Sequence, residues 1–201
     1  MKKIIYTQRV EVIESYQERR DCADQRIADF LVACGYLPIP VPNNVRIVPQ
    51  LLDELKPDGI VLTGGNSLVK YGGNAPERDA MDVALIKVAI EKGVPVYGFC
   101  RGMQSILEYF GNELINVSGH VAVRHCLIGE QDIAYEVNSY HNQACVELKA
   151  GCGLQGIAKT EDGVIEAVQH VVYPIVGTMW HPEREKEYDV KDMERLRDLF
   201  K

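Results

Sequence analysis

The run Val94-Pro95-Val96-Tyr97-Gly98-Phe99-Cys100-Arg101-Gly102-Met103-Gln104 constrains this chain more than any other segment. An apolar, β-branched stretch leads into Cys100, and a helix-like run from Arg101 to Phe110 leaves it. Glycines stand two places before and two places after the cysteine, the spacing of a Gly-x-nucleophile-x-Gly elbow with sulfur in place of oxygen. At a tight strand-to-helix turn the nucleophile sits in a strained backbone conformation. Side chains at either flank would clash where strand and helix approach. The thiol is then presented at a helix N-terminus, where the dipole and free N–H groups favour thiolate. Taken alone, the pentapeptide also fits a buried cysteine between two packing glycines.

Two downstream and upstream segments supply what a cysteine nucleophile needs. Ile175-Val176-Gly177-Thr178-Met179-Trp180-His181-Pro182-Glu183 reads as a strand with a polar tip. In extended chain, residues two apart share a face, so His181 and Glu183 are expected to lie together, with Pro182 stiffening the link. Cys100 as nucleophile, His181 as base and Glu183 as the group that orients it fill the three roles of a triad. Ile60-Val61-Leu62-Thr63-Gly64-Gly65-Asn66 is a second apolar strand, ending in a glycine pair. Acyl transfer requires N–H donors aimed at the developing oxyanion. The backbone N–H of Arg101 is one candidate and that of Gly65 the other; an ordinary flexible turn remains open for the glycine pair.

Strand-like runs at Lys3–Tyr6, Pro38–Val41, Gly59–Leu62 and Val94–Phe99 alternate with helical patterns in the first half. Tyr16, Ala23, Ile27, Phe30, Leu31 and Cys34 recur at helical spacing before Gly35, and Val48–Leu55 and Asp79–Glu91 read as two more helices. This alternation predicts an α/β fold, a flavodoxin-like three-layer αβα arrangement with a mostly parallel central sheet. Ligands then bind beyond the carboxyl ends of the strands, where Gly64-Gly65 and Cys100 fall. After Gly111, shorter runs at Ala122–Ile128, Ala134–Val137, Cys145–Leu148, Gly156–Lys159, Val164–Gln169 and Ile175–Met179 predict antiparallel additions, and Glu183–Lys201 carries a surface helix. No linker or repeat divides the chain, so residues 1–201 are read as a single domain.

The net charge of −7 and the lack of a basic stripe argue against nucleic acid. No apolar run approaches a membrane span, and the apolar part of Met1–Thr7 is too short for a signal peptide and reads as the first strand. The six cysteines (Cys22, Cys34, Cys100, Cys126, Cys145, Cys152) form neither a Cys-x-x-Cys pair nor a zinc-like spacing. His120, His125 and His170 carry no partner pattern. The expectation is a cytoplasmic protein with reduced thiols, no metal and no cofactor.

Leu62-Thr63-Gly64-Gly65, Gly98-Phe99-Cys100-Arg101-Gly102-Met103-Gln104 and Trp180-His181-Pro182-Glu183 together resemble the class I glutamine amidotransferase-like family of the Cys-His-Glu type, in its order and spacing. Asn138-Ser139-Tyr140-His141-Asn142-Gln143, Asp162-Gly163-Val164-Ile165-Glu166-Ala167 and Arg101 resemble its free-standing γ-glutamyl hydrolase branch, including the γ-glutamyl-γ-aminobutyrate hydrolases. The resemblance implies a cysteine hydrolase releasing glutamate from a small γ-glutamyl substrate. Gln104, one helical turn past Cys100, would offer an amide to the glutamyl end. Asn138, Ser139 and His141 would line the glutamyl pocket, with loop-ordering roles equally open for His141. Tyr6-Thr7-Gln8-Arg9 and Arg19-Arg20 resemble the γ-glutamyl-CDP-amidate hydrolases of capsule phosphoramidate synthesis. Arg9, Arg19 and Arg20 would then hold an anionic leaving group, against the reading of solvated surface charge. An amine leaving group, an ammonia-delivering role beside a synthetase partner, and a homodimer stay open.

Overall fold

In the computed structural model, which describes residues 1–129 and 134–201, the chain begins with β1 (Lys3–Tyr6), β2 (Arg9–Ile13), β3 (Glu18–Cys22), α1 (Gln25–Ala33) and β4 (Leu37–Pro40). It continues through α2 (Val48–Leu55), β5 (Gly59–Leu62), α3 (Pro76–Lys92), β6 (Val96–Phe99), α4 (Arg101–Tyr109) and β7 (Ile115–Asn116). The second half contributes β8 (Val121–Gly129), β9 (Ala134–Tyr140), β10 (Gln143–Ala144), β11 (Leu154–Thr160), β12 (Ile165–His170), β13 (Ile175–Thr178) and α5 (Val190–Leu199). The main sheet has nine strands in the order β4-β1-β5-β6-β13-β12-β11-β8-β9. From β4 to β13 neighbouring strands pair in parallel; from β13 onward they pair antiparallel. The α/β architecture expected from the alternation, a mostly parallel sheet with antiparallel additions, is the one observed.

Alternation along the central strands divides the core in two. Ile5, Ile60, Leu62 and Val96 face Leu52 of α2, Met81, Leu85 and Ile86 of α3, and Met103, Ile106 and Leu107 of α4. Ile4, Tyr6, Val61, Tyr97 and Phe99 face Ile27, Phe30 and Leu31 of α1 and Leu196 and Phe200 at the C-terminal helix. A smaller cluster of Leu127, Val137, Ala158, Ala167 and Trp180 lies under the antiparallel strands.

Two predicted elements differ. The helical spacing that begins at Tyr16 gives way to a hairpin, β2 pairing antiparallel with β3 from Arg9↔Cys22 to Ile13↔Glu18, and the helix starts only after Asp24, whose side chain caps Arg26 N–H. Val10 and Val12 alternate with Arg9 and Glu11, a period of two with β-branched side chains extended by Ile13, and that pattern prevails over the helical one. Tyr16 stands exposed at the hairpin tip. Cys145–Leu148 is not a strand: the ladder is β10 alone, paired with the equally short β7, and beyond Ala144 the chain has no partner strand and bends.

Candidate active site

β5 and β6 end side by side, and the site is assembled where they stop. Cys100 follows β6 directly with φ +50° and ψ −112°, a conformation that costs a non-glycine residue about 1–3 kcal/mol. Its N–H donates to Thr178 O of β13 at 2.8 Å and its carbonyl accepts Gln104 N–H of α4 at 3.1 Å, so the adjacent strand and the following helix hold the strained residue. The flanking glycines are steric requirements. A Cβ on Gly98 would lie 2.7 Å from the Gly102 carbonyl, and one on Gly102 would run into the Leu62 carbonyl of β5.

Gly64 and Gly65 follow β5. A Cβ on Gly64 would meet His181 Cε1 at 2.7 Å, so only glycine lets this loop pass over the imidazole, and Gly65 takes φ +84°. Arg78, wholly buried in the first turn of α3, grips the loop from below. Its guanidinium donates to the Thr63 carbonyl at 2.6 Å, to the Gly64 carbonyl at 2.9 Å, and to the Gly65 carbonyl. With its carbonyls held by Arg78, the loop can leave the Gly65 N–H directed to the other side. Burial, and then the neighbouring Arg101 charge, lower the Arg78 pKa to about 9. The Arg101 side chain is itself buried and ion-paired with Asp79 and Asp82, while its backbone N–H bonds the Cys100 sulfur.

His181 and Glu183 meet, though not as residues two apart on a strand. β13 ends at Thr178, and a 3₁₀ turn over Pro182–Arg184 folds the carboxylate back. Glu183 Oε1 lies 2.7 Å from His181 Nδ1, with both residues 2% exposed. The imidazole is wedged edge-on between Phe99 and Tyr140. Its backbone is clamped by Asn138, whose Oδ1 accepts the His181 N–H at 3.0 Å and whose Nδ2 donates to the His181 carbonyl at 2.8 Å. Trp180, one residue earlier, is anchored by its Nε1 donating to Asp192 at 3.0 Å.

Charge couples the thiol to the imidazole. Burial alone would push Cys100 up and His181 down. The hydrogen bond and Coulombic attraction between the two, aided at His181 by Glu183, outweigh it: the thiol is held below its ordinary range and the imidazole is raised to about 9. Both shifts act in the direction that moves the thiol proton to the imidazole.

The other candidates separate. Gln104 is buried, and its amide donates to the Gln143 carbonyl at 2.8 Å. Ser139 donates to the His120 carbonyl, and His141 Nε2 lies 3.1 Å from Glu166 Oε1; neither borders the cleft beside His181. That cleft is lined by Arg9, Cys22, Asp24, Gly65, His181 and Arg184, among others. Of the three arginines, only Arg9 reaches it. Arg19 pairs with Glu77 at 2.6 Å, and Arg20, on the same hairpin face as Arg9, is taken up by Glu18. Arg184, its guanidinium stacked over Tyr140, supplies the second cation at the cleft. Sequence reasoning missed Arg184 and Arg78. For Arg78 a signal existed: with Asp82 it makes an opposite-charge i,i+4 pair on the helix face that also carries Met81 and Leu85.

Comparison with known proteins places this geometry among relatives. The family described as glutamine amidotransferase class-I matches residues 18–199. A γ-glutamyl-CDP-amidate hydrolase from Campylobacter jejuni is 28% identical over 201 residues, spanning 96% of this chain and 95% of its own. The γ-glutamyl-γ-aminobutyrate hydrolase PuuD of Escherichia coli K12 is also 28% identical, with 79% of this chain and 77% of its own covered. The crystal structure of a Thermoplasma acidophilum protein described as a GMP synthase subunit superposes with a TM-score of 0.73 at 20% identity, covering 100% of this chain and 93% of its own.

Proposed function

This chain belongs to the class I glutamine amidotransferase family, and from that premise we propose that it is a free-standing cysteine hydrolase that cleaves a γ-glutamyl amide and releases glutamate. The observation that carries the reading is the relay from Glu183 through His181 to Cys100, set beside the Gly64-Gly65 loop and the Arg101 N–H. The Cys100 thiolate attacks the γ-carbonyl, and the N–H groups of Gly65 and Arg101 hold the oxyanion. His181 passes its proton to the departing nitrogen as the C–N bond breaks, leaving a γ-glutamyl thioester on Cys100. Once the thiolate is consumed, so is the charge that raised the His181 pKa, and the imidazole is released to act as base. It takes a proton from water, the hydroxide adds to the thioester, and glutamate leaves with the thiolate restored.

The leaving group in this proposal is an anionic nucleotide phosphoramidate of the γ-glutamyl-CDP-amidate kind. Two features support it: Arg9 and Arg184 at the same cleft, and a relative of that activity matched over nearly its whole length. Guanidinium groups bind phosphate oxygens in a paired fork. Arg19 and Arg20 drop out of the proposed contact set, because Glu77 and Glu18 already hold them. The six cysteines are all unpaired, which suits a proposed cytoplasmic setting, and no described helix is long and apolar enough to cross a membrane. The test is to assay the purified chain alone on a chromogenic γ-glutamyl amide and on glutamine. Turnover of the amide without any partner is the expected result; activity only on glutamine and only with an added synthetase would overturn the free-standing reading.

A further inference from the structure

Among the antiparallel strands of the second half lies a group of side chains that the proposed hydrolysis does not use. His120 precedes β8, His125 lies on it, Glu166 lies on β12, and His141 follows β9. His120, His141 and Glu166 are buried, and His125 is partly so. One ligand atom from each of His120, His125 and Glu166 falls within 4.8 Å of the other two. His120 Nδ1 also lies 3.6 Å from Glu166 Oε1, the oxygen beside the unpartnered Oε2 of the same carboxylate. Ligand atoms about 2.0–2.2 Å from a tetrahedral ion are themselves about 3.4 Å apart, so small side-chain rotations bring a group gathered this closely onto one ion.

The hydrogen bonds sharpen the case, because they are all spent on the outer side of the group. Asp162 Oδ2 lies 2.9 Å from His120 Nε2, and a carboxylate acceptor there fixes the proton on Nε2 and leaves Nδ1 as a lone pair. His141 Nε2 donates to one Glu166 oxygen. Left unpartnered and buried are His120 Nδ1, His125 Nε2 and Glu166 Oε2, together with His141 Nδ1. A cation bound between the first three satisfies them together. The carboxylate behind the ligating histidine is the usual support of a zinc-binding imidazole.

We propose that His120, His125 and Glu166 form a binding site for a divalent transition metal of the zinc class, with Asp162 and His141 as its supporting shell. Two imidazoles and a carboxylate suit zinc better than magnesium or calcium, which take all-oxygen sites. The ion is a structural brace. It ties β8 to β12, and the same elements hold the His181 segment: Glu166 O accepts Met179 N–H at 2.7 Å, and the His120 carbonyl accepts the Ser139 hydroxyl next to the Asn138 clamp.

The experiment uses untagged full-length protein in a Cys100→Ser background, so that the thiolate does not compete for metal. After removal of metal with a chelator, zinc chloride is titrated in, with bound metal and melting temperature as readouts. Neither depends on hydrolysis, so failure here leaves the hydrolase reading untouched. About one zinc per chain and a raised melting temperature are expected. His125→Gln and Glu166→Gln should abolish that uptake, and His170→Gln, at a histidine outside the group, should keep it. Asp162→Asn, which removes the carboxylate that accepts from His120 Nε2, should weaken zinc about 10–100-fold, with its metal-free melting temperature measured alongside because the same carboxylate also accepts from Thr160. The proposal is overturned if the protein takes up no stoichiometric zinc, or if His125→Gln and Asp162→Asn bind it as tightly as the His170→Gln protein.

Discussion

On the β5–β6 side of the cleft, parallel strands stop at glycine turns, and what they offer is backbone: the Gly65 and Arg101 N–H groups, with one thiol between them. On the β8–β9 side, antiparallel strands run past the cleft and offer side chains: Asn138 gripping His181, and Tyr140 packed on its ring. The first side is held by steric necessity, since no larger residue fits at Gly64, Gly98 or Gly102. The second is held by hydrogen bonds, any one of which a substitution can remove. A defect on the parallel side should therefore remove the chemistry, and a defect on the antiparallel side should misplace it.

The largest effects test the parallel side together with its base. Cys100→Ala should lower kcat by at least about 10⁴-fold with the fold intact, because it removes the thiol that His181 ionises and on which the proposed thioester forms. Glu183→Gln keeps the shape and loses the charge that steadies the imidazolium, so a loss of about 10²–10⁴-fold is expected. Steady-state kinetics with circular dichroism checks both, and an unimpaired Glu183→Gln enzyme would remove Glu183 from the relay.

Asn138→Ala tests the antiparallel side. It leaves the thiol, imidazole and carboxylate in place but frees the His181 backbone, and small misplacements of a catalytic group cost about 10²-fold. The loss should fall on kcat with KM nearly unchanged. If KM rises instead and kcat holds, Asn138 touches substrate and the division between the two sides fails.

The parallel side was the more legible in sequence because its demands are local. Gly98, Gly102 and the Gly64-Gly65 pair mark close backbone approaches that few other residues satisfy, so the elbow and the loop could be placed from spacing alone. Asn138, Arg78 and Arg184 act across 43, 15 and 44 positions, on His181, Thr63 and Tyr140, and no local pattern encodes such a pairing. The hairpin at Arg9–Cys22 was obscured for another reason: two periodicities overlap there, and only tertiary context decides between them. Gln104 is a different case: helical spacing sets it one turn past Cys100, and one of its amide N–H groups donates to the Gln143 carbonyl.

The coupling between the two sides has its own signature in pH. His181 is raised to about 9 and Cys100 is lowered chiefly by each other, against burial. As pH falls, the thiolate should persist below the ordinary thiol range of about 8.5 and be lost only when Cys100 itself protonates. Replacing His181 by Gln removes the positive charge and leaves burial to act alone, so the thiol pKa moves up. The rate of Cys100 alkylation by iodoacetamide, followed against pH, should therefore show an acid limb below the ordinary thiol range in the wild type. In the variant that limb should move upward, with a rate at neutral pH lower by about tenfold or more. Coincident limbs would mean that His181 does not set the thiolate.

The smallest effect concerns selectivity, and it asks what the hairpin adds to the parallel side. Arg9 sits where β2 leaves the cleft, packed against Gly65, with Arg184 of the antiparallel side also lining it. A nucleotide phosphoramidate would present charged oxygens to both, whereas a small neutral amine presents none. These contacts are remote from the γ-carbonyl and made equally in ground and transition states, so their loss should raise KM and spare kcat. Arg9→Ala should thus lower kcat/KM for a γ-glutamyl nucleotide phosphoramidate by about tenfold, the cost of one exposed charge-assisted contact. For a γ-glutamyl anilide the same substitution should change little. Arg20→Ala, at a guanidinium already held by Glu18, should leave both substrates unaffected. If Arg9→Ala lowers both substrates equally, or if the wild type turns over γ-glutamyl-γ-aminobutyrate faster than the phosphoramidate, the cleft is built for an amine product and Arg9 serves to brace the Gly65 loop.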